Sequence, residues 1–144
     1  MRWESAAQQG ELDRALALIN SIERKTGLPQ ADLDAQFDFP STRFAAYGTL
    51  MPGQSNYALL SNVEGVWVDG TVQGTRFMAN GYPAFKWRPG DARVPVSVLT
   101  SAALPEHWAR LDDFEGPDYR RILVSVRLPN DTNLVAYLYE YIPT

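Results

Sequence analysis

Residues 44–53 read Phe-Ala-Ala-Tyr-Gly-Thr-Leu-Met-Pro-Gly. The apolar run at residues 44–46 is typical of a strand, and it leads into Gly48, whose backbone can adopt unusual dihedral angles and come close to a ligand. Pro52 and Gly53 then turn the chain. Successive N–H groups at such a strand exit can hold an anion without a charged side chain. A glycine after a strand is also common in a plain turn, so the segment by itself leaves both interpretations open.

The sequence before this segment has the pattern of helices. Between residues 11 and 25, apolar side chains recur every three or four positions and form one stripe along a helix: Leu12, Ala15, Leu16, Ile19 and Ile22. Gly27 follows as the expected end of that helix, and a short second helix or turn is expected after Pro29. We therefore expect residues 1–40 to form an N-terminal helical arm packed on a domain of residues 41–144.

After residue 40 the sequence changes to short β-prone runs separated by Gly, Pro and Asn. Six strands are predicted, at residues 43–47, 65–78, 84–87, 95–99, 121–128 and 134–141. The strand at residues 65–78 has a possible interruption at Asp69 and Gly70. Both faces of the strand at residues 134–141 are largely apolar, which is typical of a central strand covered on both sides. Pro105 and Gly116 bracket one further helix. These elements favour a compact sheet or small barrel with helices on its outside.

The composition of the 144 residues excludes several kinds of chemistry. The sequence has no Cys and one His, His107, which rules out a thiol nucleophile, a thiolate zinc site, an iron–sulfur cluster and any multi-histidine metal site. A Ser-His-Asp triad is formally possible, although a half-exposed, helix-opening position is the better interpretation of His107. Proton transfer near neutral pH is therefore expected from a carboxylate or a tyrosine with a shifted pKa.

Charge and hydropathy limit the expected partners. The sequence has 13 Lys and Arg against 17 Asp and Glu, and the net charge of −4 disfavours binding to a phosphate backbone. No run approaches the roughly 18 apolar residues of a membrane span. Residues 1–9 are too polar for a signal peptide. We expect a cytoplasmic protein with no nucleic-acid partner and no membrane partner.

Residues 111–121, Leu-Asp-Asp-Phe-Glu-Gly-Pro-Asp-Tyr-Arg-Arg, contain a carboxylate suited to proton transfer. Four positions share one face of the predicted helix: Leu104, Trp108, Leu111 and Glu115. Glu115 thus continues an apolar stripe near the helix C-terminus, where desolvation and the helix dipole both disfavour the ionised form and should raise its pKa. The alternative is that Glu115 faces solvent or pairs with Arg120 or Arg121.

Three further features have mainly structural interpretations. Tyr82 lies in a turn that enters a strand, although its side chain could face a pocket. A tyrosine stripe on one face of the last strand is more typical of a core than of a site: Tyr137, Tyr139 and Tyr141. Of the pair Arg120 and Arg121, we expect one side chain to be solvated, and the other has the option of pairing with a carboxylate.

Several short segments in this order resemble the γ-glutamylcyclotransferase-like family, which includes the plant avirulence-induced-gene proteins and the γ-glutamylamine cyclotransferases. The resemblance lies in Tyr47-Gly48-Thr49-Leu50 with Pro52-Gly53, in Gly81-Tyr82-Pro83-Ala84, in residues 111–116 with Tyr119-Arg120-Arg121, and in Ala136-Tyr137-Leu138-Tyr139. It covers about residues 43–142 and leaves the helical arm aside.

The resemblance implies an α+β fold, a small mixed β-barrel with surrounding helices. It also implies an enzyme that releases a γ-glutamyl group as 5-oxoproline and frees an amine or amino acid. No metal and no cofactor are implied, because the α-amine of the substrate is itself the nucleophile. The expected partner is a small γ-glutamyl compound, and the protein is expected to be a monomer or a homodimer.

The resemblance further implies the residues of the site. Glu115 corresponds to the catalytic Glu, the general acid and base. The implied substrate-binding residues are Tyr47, Gly48, Thr49, Leu50, Tyr82 and Tyr119. Two alternatives remain: a non-catalytic protein that binds a small carboxylate or amine in the same pocket, and an interaction module in which the arm is the working part.

Overall fold

A computed structural model of the chain describes residues 6–26 and 29–142, with side chains in the first helix described for residues 9–21. Two helices come first, α1 (Ala6–Thr26) and α2 (Gln30–Phe37). Gly27, the expected end of the first helix, lies outside the described residues, and so does the side chain of Ile22. Residues 1–5, part of the segment judged too polar for a signal peptide, also lie outside them. None of the described helices is both long enough and apolar enough to cross a membrane.

All six predicted strands are confirmed, with ends that differ by no more than two residues. They are β1 (Arg43–Ala46), β2 (Val66–Ala79), β3 (Tyr82–Trp87), β4 (Arg93–Thr100), β5 (Tyr119–Arg127) and β6 (Asn133–Tyr141). The interruption considered at Asp69 and Gly70 does not occur, since β2 runs unbroken through both. A Cβ on Gly70 would lie 2.7 Å from Cγ1 of Val126, so the glycine allows β2 to approach β5 closely.

The strands form a closed mixed barrel with one extra strand. The order is β3-β2-β4-β1-β6-β5, and an additional β2–β5 pairing at Thr71 and Arg127 closes five of them into a ring. The pairing of β1 with β6 is parallel and the others are antiparallel. From Gly74 onward β2 leaves β4 and pairs with β3, which extends the sheet beyond the barrel. The expected α+β fold, a small mixed barrel with surrounding helices, is confirmed.

Apolar side chains pack in two clusters on opposite faces of the sheet. The inner cluster contains strand residues and Tyr47, and it includes Ala136 and Leu138 from β6. The outer cluster lies under the helices and includes Val135 and Tyr137 from the other face of the same strand. Two leucines of α1 and two side chains of α2 belong to the outer cluster: Leu12, Leu16, Leu33 and Phe37. The prediction that β6 is a central strand covered on both sides is therefore confirmed.

The prediction that an α-helix begins at Pro105 is wrong, because the first turn there is a 3₁₀ turn and the α-helix starts after it. Residues Leu104–Glu106 form a 3₁₀ turn, closed by a 2.8 Å hydrogen bond from the His107 N–H to the Leu104 carbonyl. The α-helix itself, α3 (Trp108–Glu115), begins only afterwards, when the Leu111 N–H bonds the His107 carbonyl. Proline favours such a tight first turn because it has no N–H to donate. His107 is half-buried where α3 begins, as expected.

Candidate active site

A cavity of about 380 Å³ lies where β1 ends. Its volume falls in the range of small-molecule binding sites, about 300–1,000 Å³. All seven residues expected at the site line it: Tyr47, Gly48, Thr49, Leu50, Tyr82, Glu115 and Tyr119. Seven more complete the lining: Phe44, Ala45, Ala46, Asn56, Pro83, Phe114 and Tyr139. Four parts of the fold thus meet at the cavity: strand β1, the hairpin of β2 and β3, the end of α3 and the start of β5.

The loop after β1 presents backbone N–H groups that have no internal partner. The carbonyl of Gly48 accepts a hydrogen bond from Met51, and the carbonyl and hydroxyl of Thr49 accept bonds from Asn56. Within the described part of the chain, the N–H groups of residues 48–50 donate no hydrogen bond. A Cβ on Gly48 would lie 3.1 Å from Cβ of Pro83, so a larger residue would press on the cavity wall. The loop can therefore hold an anion through its backbone.

The tyrosine hydroxyls at the site hold the cavity walls together. Tyr47 donates a 2.6 Å hydrogen bond to the carbonyl of Tyr139, and Tyr119 donates a 2.9 Å bond to the carbonyl of Pro83. Burial raises the pKa of Tyr47, with a further contribution from the nearby Glu115. Tyr47 is therefore protonated at neutral pH, and its O–H is engaged within the protein. Tyr82 differs, since its side chain is 63% exposed.

Glu115 is the last residue of α3 and, in the part of the chain that the structure describes, the one carboxylate that lines the cavity. Burial raises its pKa from 4.5 to about 7, and the negative charge of Asp112 adds to the effect. Among the described residues Glu115 has no hydrogen-bond or ion-pair partner. The predicted rise in pKa is confirmed, with burial as its first cause and the charge of Asp112 as its second. A group with this pKa can both accept and donate a proton near neutral pH.

Neither arginine after Glu115 pairs with it. Arg121 bonds both carboxylate oxygens of Asp112, at 3.0 and 3.2 Å, and Arg120 pairs with Glu140 at 3.2 Å. The alternative in which Arg120 or Arg121 pairs with Glu115 is therefore wrong, and so is the expectation that one of the two is solvated. The physical reason is register: Arg120 lies opposite Glu140 on the neighbouring strand, and successive residues of β5 point to opposite faces.

Two residues not predicted to act at the site influence it: Tyr139 lines the cavity, and Asp112 lies outside the lining, where its charge acts on Glu115. The hydroxyl of Tyr139 donates a 2.6 Å hydrogen bond to Oδ1 of Asp112. The guanidinium of Arg121 lies 4.6 Å from the ring centre of Trp108 and 4.7 Å from that of Tyr137, which fixes it beside Asp112. The spacing of three between Asp112 and Glu115 on one helix could have indicated their proximity. Nothing in the sequence pairs Asp112 with Tyr139.

Comparison with known proteins supports the same fold. YkqA from Bacillus subtilis superposes with a TM-score of 0.57 at 24% identity, over 72% of this chain and 36% of its own. PH0828 from Pyrococcus horikoshii gives 0.56 at 23%, over 72% of this chain and 80% of its own. An aig2-like protein from Mus musculus gives 0.52 at 22%, over 69% and 76%. Among curated proteins, no sequence matches the chain.

The family is shown by a sequence model. Residues 44–144 match the model described as "Gamma-glutamyl cyclotransferase, AIG2-like". These residues include all six strands apart from the first residue of β1, and every described residue that lines the cavity. The chain belongs to the AIG2-like γ-glutamyl cyclotransferase family.

Proposed function

We propose that the protein is a γ-glutamyl cyclotransferase that releases the γ-glutamyl group as 5-oxoproline and frees an amine or amino acid, with Glu115 as general acid and base. Family membership supports a cyclotransferase-type function in general. The observation that carries the specific proposal is a carboxylate with a pKa of about 7 and no partner among the described residues, in the same cavity as the unengaged N–H groups of residues 48–50.

The proposed reaction begins with loss of a proton from the substrate α-ammonium to Glu115. The freed amine attacks the γ-carbonyl carbon, a five-membered ring forms, and the bond from that carbon to the leaving nitrogen breaks. The attacking nitrogen gives up two protons in all, and the leaving nitrogen gains two to become an ammonium. Glu115 therefore ends in the protonation state in which it began, and the raised pKa suits it to both directions of transfer.

The remaining contributions come from positioning and from the backbone. Because nucleophile and carbonyl belong to one molecule, holding the γ-glutamyl chain folded can remove several kcal/mol of the barrier. The N–H groups of residues 48–50 would hold the α-carboxylate or the oxyanion that develops on the γ-carbonyl. These donors suit an anion because no internal acceptor among the described residues competes for them.

The test compares wild type with Glu115→Gln and with the control Asp113→Asn, an exposed carboxylate on the same helix. Each protein is incubated with a panel of γ-L-glutamyl amides, and 5-oxoproline is measured by mass spectrometry. We expect Glu115→Gln to fold normally and to lose about 10²–10⁴-fold in turnover, while the control keeps its activity. Wild-type turnover in Glu115→Gln would show that Glu115 is not the base. Saturable calorimetric binding without product, in wild type, would instead favour the non-catalytic binding protein.

A further inference from the structure

Two large apolar side chains of the cavity lining are exposed to solvent. Tyr82, at the start of β3, is 63% exposed, and Phe114, beside Glu115 on α3, is 43% exposed. Pro83 follows Tyr82, and its carbonyl is bonded by the hydroxyl of Tyr119. We call these four residues, Tyr82, Pro83, Phe114 and Tyr119, the aromatic mouth. Three other residues of the lining, all on β1, are buried: Phe44, Ala45 and Ala46.

The reaction geometry determines which part of a substrate meets the aromatic mouth. The α-amine has to reach Glu115, and the glutamyl carboxylate or the oxyanion has to reach the N–H groups of residues 48–50. The leaving nitrogen sits on the γ-carbonyl carbon, at the end of the glutamyl chain opposite the α-carbon. With the glutamyl portion held between Glu115 and the loop, the leaving portion extends toward the open side, where Tyr82 and Phe114 are exposed.

The charges that line the cavity bear on the chemistry of that leaving portion. Besides the tyrosines, Glu115 is the one ionisable residue among the described residues of the lining, and its carboxylate is assigned to the α-amine. Among the described residues, no lysine and no arginine lines the cavity, and the Nε of Arg76, which is not in the lining, donates its hydrogen bond to the carbonyl of Tyr47. Among these lining residues, a leaving portion that carries its own carboxylate would find no cation, and one that carries an ammonium would find no second carboxylate. An uncharged apolar portion would instead cover the exposed faces of Tyr82 and Phe114.

We infer that the enzyme prefers γ-glutamyl amides whose leaving nitrogen carries an uncharged apolar or aromatic substituent, and that Tyr82 and Phe114 determine this specificity. The inference rests on the proposed function, because it describes the leaving portion of the same reaction. It goes beyond that function by naming the class of amine that is released.

The experiment uses substrates that differ in one terminal group. The γ-L-glutamyl n-butylamide, 4-aminobutylamide and 3-carboxypropylamide share a chain length and end in a methyl, an ammonium and a carboxylate. The γ-L-glutamyl benzylamide adds an aromatic ring. We expect kcat/KM for the butylamide and the benzylamide to exceed that for both charged amides by at least about tenfold. Equal values, or a preference for either charged amide, would overturn the inference.

Variants test whether the mouth causes the preference. Tyr82→Ala and Phe114→Ala should each reduce the ratio of apolar to charged kcat/KM severalfold. The matched control is Phe39→Ala, which removes another exposed aromatic side chain, 58% exposed, that does not line the cavity. Thermal unfolding checks that every variant is folded. An unchanged ratio in both Tyr82→Ala and Phe114→Ala would show that these residues do not select the leaving group.

The two proposals fail in different ways. Release of 5-oxoproline from all four amides without an apolar preference would contradict the inference and leave the cyclotransferase proposal standing. No 5-oxoproline from any of the four, or from the wider γ-glutamyl panel, would overturn the cyclotransferase proposal and the inference with it.

Discussion

The hydroxyl of Tyr139 donates a 2.6 Å hydrogen bond to Oδ1 of Asp112, which joins the central strand β6 to the helix that carries Glu115. Arg121 bonds both oxygens of the same carboxylate. Two donors therefore hold a negative charge one helical turn before Glu115, where it raises the pKa of that residue. The barrel and helix α3 in this way position a charge that tunes the proposed catalytic carboxyl.

Replacing Asp112 by Asn should shift the pH dependence of the reaction. Only ionised Glu115 can accept the first proton, so kcat/KM of wild type should rise with pH around the Glu115 pKa of about 7. Because Asp112 raises that pKa, Asp112→Asn should move the acid limb to lower pH and increase kcat/KM at pH 6 relative to pH 8. The exposed Asp113→Asn is the matched control. An acid limb at the same pH in Asp112→Asn and wild type would contradict this prediction.

The burial of Glu115 should cost stability at high pH. In the folded protein its pKa is raised to about 7 from 4.5, so folding favours the protonated form. The associated stability is fully present below about pH 4.5 and is lost as the pH rises through about 7, by at most about 3 kcal/mol. Since Glu115 is half-buried, solvent screening should reduce the loss to about 1–2 kcal/mol.

Glu115→Gln should therefore be more stable than wild type at pH 8 by about 1–2 kcal/mol, and the difference should shrink toward pH 5. Urea unfolding of both proteins at the two pH values measures it. This prediction does not depend on any enzyme activity. If the variant were less stable than wild type at pH 8, or if the difference did not change with pH, Glu115 would not be buried in the way described.

Arg76 should act on the loop from outside the cavity. It is exposed on β2, and its Nε donates a 3.0 Å hydrogen bond to the carbonyl of Tyr47, just before the free N–H groups. Arg76→Ala removes a bond of about 0.5–1.5 kcal/mol that holds the loop in place, so we expect KM to rise about 2- to 10-fold with kcat little changed. Arg88→Ala removes an exposed arginine elsewhere and is the control. A fall in kcat at constant KM would argue against this positioning role.

The strands could be predicted from the sequence because each is a short β-prone run between turn residues. The closure of the barrel could not, since it depends on β2 and β5 meeting at Thr71 and Arg127, which no local pattern encodes. A glycine at position 70 is compatible with a bulge, a break or a close approach, and only the three-dimensional packing against Val126 distinguishes them.

The candidate site shows the same division between local and long-range information. Helical spacing alone placed Glu115 on a buried stripe and predicted the direction of its pKa shift. The partners of Asp112 and of Tyr47 depend instead on contacts between residues 27 and 92 positions apart in the sequence. Such pairings are set by the register of the barrel, which is why the engaged hydroxyl of Tyr47 could not be anticipated.

Helix α1 satisfies backbone groups on an edge of the barrel. The side chain of Asn20 donates a 2.9 Å hydrogen bond to the carbonyl of Leu123 and accepts a 2.9 Å bond from its N–H. Leu123 lies on β5, which pairs with β6 on one side and with β2 only at Arg127 on the other. The asparagine thus occupies hydrogen-bonding positions that a neighbouring strand would fill in a fully paired sheet.

Asn20→Ala should lower the free energy of unfolding by about 2–3 kcal/mol, because it leaves a buried N–H and a buried carbonyl of Leu123 without partners. Arg14→Ala, at an exposed position on the same helix, should change it by less than about 0.5 kcal/mol. Urea unfolding measures both.

Removal of residues 1–40 should destabilise the protein more than Asn20→Ala does, because it uncovers the core that Leu12 and Leu16 bury. We expect the truncated protein to aggregate, which size-exclusion chromatography would show. A truncated chain that stayed folded and did not aggregate would contradict this prediction.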